Sequence, residues 1–126
     1  MDDGHIPPFA SVDAESFVVV DWSDPGTHPG MPIAGLHVHH EDDEAWLVLA
    51  GRLGFRVGDE TVEAGAGESV LVPRGTPHSY WNAQAEPARY LLVMTPRIRD
   101  LIKALHAGDR SDYAAIFREH ASELLA

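Results

Sequence analysis

Gly67-Glu68-Ser69-Val70-Leu71-Val72-Pro73-Arg74-Gly75-Thr76-Pro77-His78-Ser79-Tyr80-Trp81-Asn82 is the stretch on which the reading of this chain turns. Two short runs of strand formers, Ser69 to Val72 and His78 to Trp81, flank a segment whose prolines fix φ and whose glycine admits positive φ. That segment reads as a turn presenting His78 at the head of a strand. Within the stretch, Gly67, Pro73, Gly75, His78 and Asn82 stand as G-x5-P-x-G-x2-H-x3-N. At average residue usage, a chance match in a chain of this size is rarer than about one in ten thousand.

Upstream and downstream the same texture continues. Short β-branched and aromatic runs bounded by Gly, Pro and Asp occupy Phe17 to Trp22, Ile33 to His39, Glu44 to Ala50, Leu53 to Val57, Thr61 to Ala64 and Ala88 to Thr95. Regularly spaced strands of this kind predict a sandwich or barrel. Gly58-Asp59 fits a two-residue hairpin turn, and Gly51 ends the strand before it. After Thr95 the period changes to that of a helix: Ile98, Leu101, Ile102 and Leu105 share one face, with Thr95 as N-cap, Pro96 at the first position and Gly108 as stop. Tyr113, Ile116, Phe117, Ala121, Leu124 and Leu125 repeat the pattern behind Ser111 and predict a second amphipathic helix. Residues 1–16, broken by Pro7 and Pro8, read as an N-terminal arm. The expected organisation is therefore that arm, a barrel over residues 17–95 and a helical segment over residues 96–126 packed on it.

The 126 residues allow one hydrophobic core and no tandem architecture. Twenty acidic against nine basic residues give a net charge of -11, which repels a phosphate backbone. A helix-turn-helix built from the two C-terminal helices would offer a groove Arg118 among Asp112, Glu119 and Glu123, so nucleic acid is excluded as a partner on charge. The chain opens on Asp2 and Asp3 with no basic and apolar leader pattern, and no run reaches ~18 apolar residues. The expectation is a cytoplasmic protein with no membrane partner. There is no cysteine, so a metal could be held only by imidazole and oxygen.

Eight histidines are many for this length, and those at 37, 39 and 40 cluster. His37 and His39 are two apart in a strand-like run and share a face; Val38 and His40 point the other way. Glu44 follows after a polar connection that can fold its carboxylate back toward the two imidazoles. His40 also satisfies the spacing to Glu44, but alternation turns it outward, so His39 is preferred. Asp42 and Asp43 read as solvated loop charges.

With these residues assembled, the chain resembles the cupins, whose two motifs are G-x5-H-x-H-x3-4-E-x6-G and G-x5-P-x-G-x2-H-x3-N. His37, His39, Glu44 and Gly51 match the first, apart from Met31 at its leading glycine; Gly67, Pro73, Gly75, His78 and Asn82 match the second. The compact spacing between the motifs is similar to that of single-domain bacterial members, including the quercetin dioxygenase-like ones. The resemblance implies an all-β antiparallel jelly-roll barrel, often a homodimer, with His37, His39, Glu44 and His78 as ligands of one divalent transition metal among Fe, Mn, Ni, Co, Cu and Zn. Gly51, Gly67, Pro73, Gly75 and Asn82 then support the motif as turns and hydrogen bonds rather than as ligands.

Strand parity extends the site. Trp46 and Val48 share the face of Glu44, Tyr80 shares that of His78, and Leu53, Phe55 and Val57 lie opposite Arg52 and Arg56. Trp46, Val48, Phe55 and Tyr80 are the expected pocket wall, an apolar chamber with one phenol and one indole donor. The Tyr90 to Met94 run is apolar at both parities and assigns no inward face. By resemblance the expected activity is a metal-dependent dioxygenase acting on an aromatic or enolic small molecule. The family equally implies oxygen-independent isomerases, cyclases and lyases, and non-catalytic small-molecule binders are a further class.

Overall fold

The computed structural model describes residues 12–125. Ten strands are present among them: β1 (Val12–Asp13), β2 (Val18–Asp24), β3 (Pro32–His39), β4 (Glu44–Ala50), β5 (Arg52–Val57), β6 (Glu60–Gly65), β7 (Ser69–Val72), β8 (His78–Asn82), β9 (Ala88–Met94) and β10 (Ser122–Leu124). Two helices, α1 (Pro96–Ala107) and α2 (Tyr113–Glu119), lie between β9 and β10. The expected arm lies outside the described residues as far as residue 11; its end forms β1, which pairs with β2 at a sheet edge.

The strands form two antiparallel five-stranded sheets, ordered β1-β2-β9-β4-β7 and β10-β3-β8-β5-β6. This is the jelly-roll arrangement, and no strand among the described residues joins both sheets. Alternation explains the core. Val18 and Val20 of β2, Trp46 and Val48 of β4, and Tyr90, Leu92 and Met94 of β9 turn inward to meet Leu53, Phe55, Ala64 and Tyr80 of the other sheet. The face that β9 buries, ambiguous in sequence, is thus the one carrying Tyr90, Leu92 and Met94.

Each expected strand is present, with ends moved by one or two residues. Val57 pairs with Glu60 across Gly58-Asp59, the two-residue turn expected there. Helix α1 begins where its signals place it: Thr95 Oγ1 accepts from the Ile98 amide at 3.2 Å, and Pro96 is the first residue. The second helix is the correction. It ends at Glu119, Ala121 takes φ 53°, and Ser122, Glu123 and Leu124 pair with His39, Val38 and His37 as β10. Helical periodicity across Ala121, Leu124 and Leu125 loses because β3 would otherwise be a bare sheet edge; β10 satisfies that edge instead.

Candidate metal centre

Three features of the chain converge on one point between the sheets. Antiparallel pairing sets His37 of β3 directly opposite His78 of β8. His39 follows on the same face of β3, and Glu44 opens β4 in the facing sheet. Two loops hold this geometry. The Gly75 amide donates to the His39 carbonyl at 2.7 Å, and the Arg74 amide donates to Asp43 Oδ1 at 2.8 Å, so the turn before His78 is tied to the connection between His39 and Glu44. Gly75 itself takes φ +79°, which glycine reaches without the steric cost of a Cβ.

His37, His39, Glu44 and His78 are all buried, and their ligating atoms lie within 4.8 Å of one another. Each imidazole is anchored through Nδ1. His37 Nδ1 donates to the Gly35 carbonyl at 2.6 Å and His78 Nδ1 to the Thr76 carbonyl at 3.0 Å, while His39 Nδ1 and Ser122 Oγ lie 2.7 Å apart. A carbonyl can only accept, so His37 and His78 carry their proton on Nδ1 and turn the Nε2 lone pair toward the cluster. Glu44 Oε1 lies 3.2 Å from His78 Nε2 and 3.4 Å from His39 Nε2. Lone pairs facing a carboxylate oxygen at that range repel unless positive charge stands between them. Ligands held at ~2.0–2.2 Å by one divalent ion are spaced this way, so the donor set fits the metal that the motif implies.

The protonation states agree. Burial, reinforced by His78 and His39, lowers the His37 pKa to about 4, so this imidazole is neutral near pH 7. Burial pushes Glu44 upward, but the neighbouring His39 and His78 more than offset it and bring its pKa to about 2, so positive charge beside this carboxylate, whether proton or metal ion, keeps it ionised. An ionised Glu44 carboxylate and a neutral His37 imidazole are the forms in which these two groups can ligate.

A cavity of about 160 Å³ opens onto the cluster. Trp46 and Tyr80 line it. Val48 and Phe55 do not: both are fully buried one layer deeper, with Phe55 edge-on to Trp46 at 5.3 Å and stacked on Tyr80 at 5.9 Å between centroids. The rest of the wall comes from residues read only as structural. Ile98, Leu101, Ile102, Leu105 and His106 of α1 roof the cavity, and Phe117 of α2 meets the His37 ring edge-on at 5.6 Å. The signal was available in the helical stripe, since His106 falls four residues after Ile102 on the same face. No lysine or arginine is among the lining residues.

Two donors on the chamber wall differ in kind. Tyr80 and Tyr90 hydroxyls bond each other at 2.9 Å, and burial pushes both phenols above their usual range, so they stay protonated. Trp46 Nε1 is fully buried, with no hydrogen-bond partner at bonding geometry among the described residues.

The remaining motif residues lie in turns and hydrogen bonds. Asn82 is buried away from the cluster, where its Nδ2 donates to Asp24 Oδ2 at 3.0 Å and to the Glu86 carbonyl at 2.7 Å, and its Oδ1 accepts from the Gln84 amide at 3.0 Å. Gly51 and Gly67 take φ +78° and +85° in turns, and Pro73 opens the turn before His78. At the first-motif departure, the exposed Met31 is preceded by Gly30, which supplies the positive φ of +81° and donates its amide to the Asn82 carbonyl at 2.8 Å. His40 is exposed as expected, 3.6 Å from Glu123. Asp43 is an exposed partner of Arg74, but Asp42, read as a solvated charge, is buried and pairs with Arg97 at 3.4 Å because the start of α1 covers that loop.

A family model for the cupin domain matches residues 27–94, more than half of the chain. The chain belongs to the cupin family. A related uncharacterized protein of Streptomyces coelicolor is 37% identical over 57 residues, covering 45% of this cupin and 53% of that protein, so the chain spans about half its relative's length. A crystal structure from Thermus thermophilus shares 29% identity at a TM-score of 0.59, covering 68% of this cupin and 77% of that chain. A predicted oxalate decarboxylase from Thermotoga maritima shares 25% identity at a TM-score of 0.56, covering 64% and 67%. In this cupin the matched region supplies all four clustered residues, whereas α1, α2 and β10 lie beyond it. No helix among the described residues is long and apolar enough to cross a membrane.

Proposed function

We propose that this cupin is a metal-dependent enzyme for a small, uncharged aromatic or enolic molecule, and that its chemistry is that of a dioxygenase. The observation carrying the substrate class is the cavity wall: apolar side chains from α1, β2, β3 and α2 lead to the cluster, with no lysine or arginine among the described lining residues to meet a phosphate or carboxylate. An anionic sugar or diacid would have to shed its hydration against hydrocarbon, at a cost that the ligand cluster alone must repay.

His37, His39, Glu44 and His78 would hold one divalent ion, which supplies Lewis-acid polarisation of a chelating oxygen or, with a redox-active ion, dioxygen chemistry. The chain's own groups set the rest. Trp46 contributes its buried indole to the wall of the cavity. Tyr80, held protonated, can donate but not serve as a base near neutral pH. Ile98, Leu101 and Ile102 exclude water from the roof.

Oxygen-electrode measurements on protein loaded in turn with Fe(II), Mn(II), Ni(II) and Cu(II), and offered catechols, flavonols and 1,3-diketones, test this reading. Oxygen consumption matched to substrate loss is expected. Substrate loss without oxygen uptake would move the assignment to an isomerase, cyclase or lyase. Tight binding without turnover would make the protein a small-molecule binder.

We also infer a homodimer. Val19, Val93, Ala45 and Leu71 stand side by side across four strands on the outer face of the first sheet, and Leu71 is 62% exposed. Such an apolar row on a sheet's solvent face marks a contact surface. Light scattering is expected to give twice the chain mass, and a monomer mass at working concentration would remove the inference.

A further inference from the structure

The three histidines are not anchored alike. His37 and His78 each donate Nδ1–H to a carbonyl two residues earlier on their own strand, a partner present whenever the strand forms. His39 has no such local partner. Its Nδ1 meets Ser122 Oγ at 2.7 Å, a residue 83 positions away, set opposite it by the β10–β3 register. Ser122 is only 3% exposed and donates its own proton to the His120 carbonyl at 3.0 Å. That donation orients the hydroxyl so that its oxygen accepts from His39.

A competing tautomer makes this contact matter. Glu44 Oε1 lies 3.4 Å from His39 Nε2 and would accept a proton placed there. A histidine protonated on Nε2 is a hydrogen-bond donor to Glu44 and no longer a ligand. The serine provides the opposing acceptor on Nδ1.

We propose that Ser122 is a positioning residue of the metal centre: by accepting from His39 Nδ1 it keeps the Nε2 lone pair free, so the C-terminal strand completes a site otherwise built within the cupin domain. This rests on reading the four-residue cluster as a metal centre. Ser122 lies outside the matched region, which ends at residue 94, and β10 stands where sequence periodicity placed a helix.

The test compares the full-length protein with Ser122→Thr and Ser122→Val in titrations with Zn(II) and Mn(II) against a competing chelator. Threonine keeps a hydroxyl; valine has the same shape without one, and both suit a strand. The parent and S122T are expected to bind one ion with similar affinity. S122V is expected to bind roughly 10–100-fold more weakly, the range for losing a hydrogen bond to a metal-ligating histidine. Equal affinities for S122T and S122V would overturn the proposal and leave the metal centre standing, even if S122V melts at a lower temperature, because that pattern is a merely structural serine. A parent that binds no ion would overturn both readings. Long-range 1H–15N NMR on the Zn(II)-loaded parent gives an answer that needs no variant: the His39 proton is expected on Nδ1, and finding it on Nε2 would overturn the proposal.

Discussion

His78→Ala is expected to lose the ion that the four-residue cluster is proposed to hold. Elemental analysis after loading with Zn(II) or Mn(II) and gel filtration is expected to fall from about one equivalent per chain to near none, the site having three ligands instead of four. Even outer groups that only orient a ligand are worth roughly 10–100-fold in affinity, so removal of a ligand itself exceeds that range. His78 Nε2 lies 3.2 Å from Glu44, closer than His39 at 3.4 Å, and His78 sits opposite His37, so its loss opens the middle of the cluster rather than its rim. The fold should persist. His78 packs at the end of the core beside Trp46, with centroids 5.8 Å apart, while the main cluster of Val18, Val20, Val48, Leu53, Phe55 and Tyr90 does not depend on it. A far-UV circular dichroism spectrum like the parent's with no retained metal is therefore the expected pair of observations. Tight retention of one ion by this variant would mean that other donors hold it.

The four residues of the candidate metal centre were legible because their constraints are local. Two histidines at strand spacing, a carboxylate after a short polar loop and a third histidine behind a Pro-Gly turn are each statements about a few neighbouring residues, and β-pairing then brings His37 and His78 together. What was not legible depends on partners distant in sequence. Asp42 is polar and in a loop, yet Arg97 of α1 covers it. Ala121, Leu124 and Leu125 continue a helical period, yet the open edge of β3 claims that segment as β10. Parity placed Val48 and Phe55 on the inward face correctly, but parity specifies a face and not a depth, and Trp46 and Tyr80 stand between them and the cavity. The roof from α1 went unread for a similar reason: an apolar stripe looks the same whether it covers core or cavity.

Gly51→Ala is expected to destabilise the fold by about 2–4 kcal/mol, combining a left-handed backbone conformation imposed on an L-residue with overpacking. Gly51 takes φ +78° between β4 and β5, and a Cβ there would stand 2.6 Å from the Pro87 carbonyl oxygen and 2.8 Å from Ala88 Cα. Both are backbone atoms at the entry to β9, which pairs with β4, so neither can rotate aside. For a domain of this size the thermal midpoint should drop by roughly 10 °C. Gly67→Ala provides the contrast: its φ is +85°, but nothing lies within 4 Å of the added atom, so only the conformational cost of about 1 kcal/mol remains. Equal losses in the two variants would show that backbone conformation alone, and not the approach of β9, requires glycine at Gly51. Metal then separates scaffold from site. An ion that binds only the folded chain raises the midpoint by an amount set by its concentration and affinity. G51A retains all four ligands and should regain the same increment as the parent on adding Zn(II). H78A, with an intact scaffold and an incomplete ligand set, should regain almost none.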